Sequence, residues 1–154
     1  MATLSEAGID DVILFPMAGS QTQSTWTASA QSHGLGVIVG GHMTHPGYLA
    51  SHGGYISDGA IELIYRHAAG AGVTDFVVPG NKPDVIRTIR ALIEDIGVDP
   101  IFYAPGFLAQ RGEISEAARE AGARWHAIVG RGFFQDGSDA QSIRSAALRL
   151  VASL

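Results

Sequence analysis

Two glycine-bearing segments carry the residue types best suited to chemistry: Tyr103-Ala104-Pro105-Gly106-Phe107-Leu108-Ala109-Gln110-Arg111-Gly112 and Ala127-Ile128-Val129-Gly130-Arg131-Gly132. Each follows a short apolar run that reads as a buried strand, and each leads into a helical pattern. Backbone N–H groups, the Gln110 amide and the Arg131 guanidinium would then converge on one anion, and the arginine fork matches phosphate oxygens. In a parallel barrel the loops after the last two strands are a common seat for phosphate. The competing reading, a solvated loop glutamine and a surface arginine, leaves the paired glycines unexplained.

Other constellations carry less. His42 and His45 are spaced His-x-x-His, and His52 lies on the same Gly-rich loop, which invites a metal reading. A zinc site wants a third ligand and supporting partners, and no Glu lies inside the motif, so no metal is expected. His33, His67 and His126 fall in helix or strand contexts and read as packing or surface residues. Trp26, Trp125, Phe133 and Phe134 read as core or interface residues before stacking platforms. There is no Gly-x-Ser-x-Gly elbow, and no Walker or dinucleotide fingerprint follows the first strand.

The elements that must position these residues alternate regularly. Val12 to Phe15 is an apolar run, followed by a helical pattern from Gln21 to His33 that Gly34 ends. Gly36 to Val39 is the second strand. A long Gly and His loop leads to Asp58, which is positioned to cap a helix to Ala69. Asp75 to Val78 is the third strand, and Pro83 suits the first turn of a helix whose apolar positions Val85, Ile86, Ile89, Leu92, Ile93 and Ile96 recur at helical spacing. Ile101 to Tyr103, a helix over Ser115 to Ala121, Trp125 to Val129, and a closing helix opened by Ser138 or Asp139 complete the alternation.

Composition sets the outer limits. The chain has 154 residues, 46% hydrophobic and 16% charged, which suits one domain over residues 1–154. A net charge of -5 and a single lysine, Lys82, argue against a nucleic-acid surface. There are no cysteines, which excludes disulfides and thiolate sites and suggests a cytoplasmic setting. Met1 to Gly8 contains Glu6 and no basic apolar run, and no stretch approaches the about 18 apolar residues of a membrane span. Neither a secretory signal nor a membrane partner is expected, and Met1-Ala2 reads as an initiation site, favouring an independent polypeptide.

No linker or low-complexity tract interrupts the alternation, so the expected fold class is α/β: a parallel βα array of about five units. It is either part of an eight-unit barrel or an open doubly wound sheet, which periodicity does not separate. A partial barrel would leave two unpaired edges and an uncovered apolar face, to be completed or covered by another chain.

Four motifs in order, Gly41-His42-Met43-Thr44-His45-Pro46-Gly47, Val78-Pro79-Gly80-Asn81-Lys82-Pro83, Ala104-Pro105-Gly106-Phe107-Leu108-Ala109-Gln110 and Ile128-Val129-Gly130-Arg131, resemble the C-terminal part of orotidine 5'-phosphate decarboxylase. The resemblance starts near Gly8 to Gly19 and runs through the closing helix. It implies conversion of orotidine 5'-monophosphate (OMP) to uridine 5'-monophosphate (UMP) and CO2, without a cofactor, in pyrimidine biosynthesis. By that resemblance Thr44 touches the pyrimidine, Pro105 walls its pocket, Gln110 bridges nucleobase and phosphate from a closing loop, and Gly130 with Arg131 clamps the phosphate. Two departures stand out: Arg111-Gly112 replaces a frequent Gly-Gly, and Phe15 stands where a His is expected.

The family's catalytic array of two lysines and two aspartates lies on its N-terminal half, with one aspartate from a neighbouring subunit. This sequence resembles the half without that array, and Lys82 sits in an Asn-Lys-Pro motif that reads as helix-start chemistry. The expectation is therefore a nucleoside monophosphate site with no catalytic residue of its own, completed by an N-terminal half chain or by self-association. Two alternatives are a noncatalytic phosphate-binding or assembly module and a related sugar-phosphate decarboxylase or aldolase. The latter shares the Gly-Arg clamp but leaves His42-Met43-Thr44-His45-Pro46 and Ala109-Gln110 unexplained.

Overall fold

The computed structural model describes residues 1–106, 111–134 and 137–152, with backbone alone for 111–114. Among the described residues, strands β1 (Asp11–Leu14), β2 (Gly36–Gly40), β3 (Asp75–Val77), β4 (Ile101–Pro105) and β5 (Trp125–Ile128) form one sheet in sequential order. Every neighbouring pair is parallel, and β1 does not pair with β5, so the sheet is not closed. Helices α2 (Ser20–Ser32), α3 (Ala60–Gly70), α4 (Pro83–Glu94) and α5 (Arg111–Ala121) form the crossovers, and α6 (Ala140–Val151) follows β5.

Strand alternation divides the sheet into two faces. Val39, Phe76, Phe102 and Ala104 have no exposed surface and pack with Tyr65, Ile86, Ile93 and Ala117 from the helices into one core. The opposite face carries Asp11, Ile13, Tyr103, His126 and Ile128; Ile13 is 51% exposed and Ile128 38%. The helix stripe read over Val85 to Ile96 behaves as expected, since Ile86, Ile89 and Ile93 are buried.

Several boundaries differ from the sequence reading. A short α1 (Ala2–Glu6) precedes β1, held by a bond from Ser5 Oγ to the His33 carbonyl at 2.9 Å. Asp58 does not cap α3. The N-cap is Gly59, and the Asp58 carboxylate instead accepts bonds from the Ser51 backbone N–H and hydroxyl, which ties the loop after β2 to itself. The α5 backbone begins at Arg111, so Gly112 lies inside the helix rather than before it. Asp139 caps α6 as expected, accepting from the N–H groups of Gln141 and Ser142, each at 3.0 Å.

Candidate functional site

The loops that leave the C-terminal ends of β2, β3 and β4 meet one another. Tyr65 on α3 fixes where they start: its fully buried hydroxyl donates to the Val77 carbonyl at 2.7 Å and accepts from the Gly41 N–H at 3.1 Å. Burial pushes that phenol well above its usual range. Tyr48 then donates to the Gly41 carbonyl at 2.9 Å. The chain from Gly41 to Thr44 is thereby anchored at its root.

At its tip the same loop is held from β3. Asn81 Nδ2 donates to the Thr44 carbonyl at 3.1 Å, and Lys82 Nζ donates to the carbonyls of Met43 at 2.9 Å and His45 at 3.5 Å. Burial lowers the Lys82 pKa, and its proton donors are directed at backbone oxygens. From the β4 side, the Gly80 N–H donates to the Pro105 carbonyl at 2.8 Å. Gly106 has φ of +103°, and a Cβ there would stand 2.5 Å from Thr44 Cγ2 and 3.5 Å from Asn81 Oδ1. Only glycine permits both that backbone conformation and that approach.

Thr44, Asn81, Pro105 and Gly106 thus form one cluster, with Thr44 and Pro105 half-buried. Gly130 and Arg131 lie at the end of the adjoining strand: Pro105 is in register with Ile128, and Arg131 opens a short 3-10 turn, Arg131–Phe134. Both are exposed, and the Phe133 N–H closes the turn onto the Gly130 carbonyl at 3.1 Å. Gln110, the expected bridging glutamine, lies outside the described residues. Asn81 and Lys82 were readable only as helix-start chemistry, because their partners lie 37 to 39 residues away.

No family model matches the chain. Among curated relatives, it is 34% identical over 149 residues to an orotidine 5'-phosphate decarboxylase of Methanosarcina barkeri. It is 32% identical over 146 residues to that of Methanosarcina mazei. This chain is a homologue of orotidine 5'-phosphate decarboxylase. The alignments cover 97% and 95% of this chain but only 61% and 60% of those relatives, as for a C-terminal part of the decarboxylase.

Solved decarboxylases share the fold. The enzyme of Methanocaldococcus jannaschii, complexed with inhibitor BMP, superposes with a TM-score of 0.71 at 20% identity, covering 97% of this chain and 68% of that one. The Pyrococcus horikoshii decarboxylase gives 0.69 at 23% identity, covering 97% and 65%. The five-stranded open sheet therefore corresponds to part of the decarboxylase barrel, and the doubly wound alternative is set aside.

Proposed function

We propose that this chain supplies the phosphate- and pyrimidine-binding part of an orotidine 5'-phosphate decarboxylase. The observation that carries this reading is the cluster of Thr44, Asn81, Pro105 and Gly106 at the C-terminal ends of β2 to β4, in a chain homologous to that enzyme. Thr44 and Pro105 face the pyrimidine, Gly130 and Arg131 take the phosphate, and Gln110 joins the two when the loop after β4 closes. An exposed guanidinium beside a glycine has the fork geometry for paired hydrogen bonds to phosphate oxygens.

The chemical step belongs elsewhere in this reading. Lys82, the sole lysine, is engaged with two backbone carbonyls. Asp75 starts β3 at the end of the sheet opposite the cluster, where Tyr103 donates to it at 3.0 Å and Thr74 at 2.6 Å. In this reading neither protonates a carbanion nor presses on a substrate carboxylate. A complementary chain of three βα units would pair with the edges β1 and β5, cover Ile13 and Ile128, and bring the lysine and aspartate array. Phosphate binding energy would then serve to close the site over the reacting ring.

Calorimetric titration of UMP into the pure chain tests the binding half. Saturable binding is expected, weakened about tenfold or more by Arg131→Ala and less by Thr44→Ala. Absence of UMP binding, or binding indifferent to Arg131, would remove the proposal.

A further inference from the structure

Behind the Thr44 loop lies a separate small pocket, and we propose that it binds a small tetrahedral oxyanion. The cavity measures about 190 Å³ and is lined by His42, His45, Tyr48, His52, Lys82 and Val85 among others. Its lining shares Lys82 and His45 with the contacts that hold the Met43-Thr44-His45 backbone.

The charge pattern selects an anion. His42 is 7% exposed, and its Nδ1–H is committed to the Met43 carbonyl at 2.9 Å, leaving Nε2 without a hydrogen-bond partner among the described residues. His45 and His42 both pack on the Tyr48 ring, with centroids 5.8 and 5.7 Å away. Lys82, the N-cap residue of α4, adds a positive charge held against the Met43 and His45 carbonyls. Two acids stand on the flanking segments: Asp58, which accepts from Ser51, also interacts with the charge of His52, and Asp84 on the first turn of α4 pairs with Arg87 at 3.1 Å. No acidic side chain lines the pocket, and no group of three His, Cys, Asp or Glu among the described residues is placed to hold a metal ion.

An anion here would draw a proton onto His42. Burial, together with Lys82, His52 and His45, holds His42 below its ordinary pKa, so without a ligand it is neutral at pH 7. Binding to the protonated form is favoured as pH falls, and the anion in turn raises the histidine pKa. Because Lys82 and His45 line the pocket and Lys82 also holds the Met43 and His45 carbonyls, filling the pocket stiffens the loop that carries Thr44. That coupling rests on the proposed nucleotide site, whereas anion binding itself does not.

Sulfate is the probe, since its charge does not change between pH 6 and pH 8. Titration of the full chain, followed by the C2-proton NMR signals of the histidines, should move His42, His45 and His52 saturably, with affinity about tenfold higher at pH 6 than at pH 8. His52→Gln, an exposed change that leaves the core intact, should weaken binding several-fold, while Arg131→Ala should leave it unaltered. A nucleotide phosphate shares the oxyanion chemistry, so UMP titrated into the Arg131→Ala variant is the control, and it should leave these signals in place. Shifts reproduced by chloride at equal ionic strength, shifts independent of pH, or shifts abolished by Arg131→Ala would each overturn the proposal. Failure of UMP binding with sulfate binding intact would strike the nucleotide site alone.

Discussion

The two faces of the sheet obey the same strand alternation but have different fates. On one, Val39, Phe76, Phe102 and Ala104 are sealed by the protein's own helices. On the other, Ile13 and Ile128 lie exposed at the two edges, while Tyr103 stacks on His126 at 4.8 Å and reaches Asp75 across the strands. The closed face accounts for why five βα units hold together, and the open face for why they read as part of a larger barrel. A helix-covered face gains burial of apolar surface within the chain, whereas the open one gains it only from another chain.

Substitution should break this contrast unevenly. Phe76→Ala on the closed face should cost about 3–5 kcal/mol of unfolding free energy, while Ile13→Ala on the open face should cost under about 1 kcal/mol in the isolated chain. Denaturant melts of the two variants measure both, and equal losses would mean that the open face is covered after all. Tyr65→Phe should cost about 1–3 kcal/mol, because the Gly41 N–H and the Val77 carbonyl lose their shared buried partner. Its effect should extend to UMP affinity, since the Thr44 loop starts at Gly41.

A smaller effect follows from His42. Its folded pKa lies below the unfolded value, so the unfolded state binds more protons and stability falls as pH drops below about 6.5. The melting temperature should decline from pH 7 to pH 5, and replacing His42 by Asn should flatten that part of the profile. The smallest change should come from Thr27→Val. The Thr27 hydroxyl is buried without a partner, so removing it should be neutral or slightly stabilising by thermal melt.

What the sequence disclosed was local. Pro83 at the start of α4, Asp139 at the cap of α6 and the glycines that follow α2 to α5 are signals read within a turn or two of their effect, and the strands appear where expected. Asp58 misled because an aspartate before a helical pattern is also free to tie a loop, and Ser51 was seven residues away. Asn81 and Lys82 read only as helix-start chemistry for the same reason on a longer scale. Gly106 looked like a phosphate-loop glycine, yet the structure shows it at φ +103° against Thr44, a contact between two loops that no spacing announces.

In the proposed division the open face and the half-built site go together: this chain binds the nucleotide and another supplies the chemistry. Loss of OMP absorbance, followed with the pure chain at high concentration, tests it most directly. No turnover is expected under conditions where UMP binds. Steady decarboxylation by the chain alone would contradict it, and would place the acid and base among residues here assigned to binding and packing.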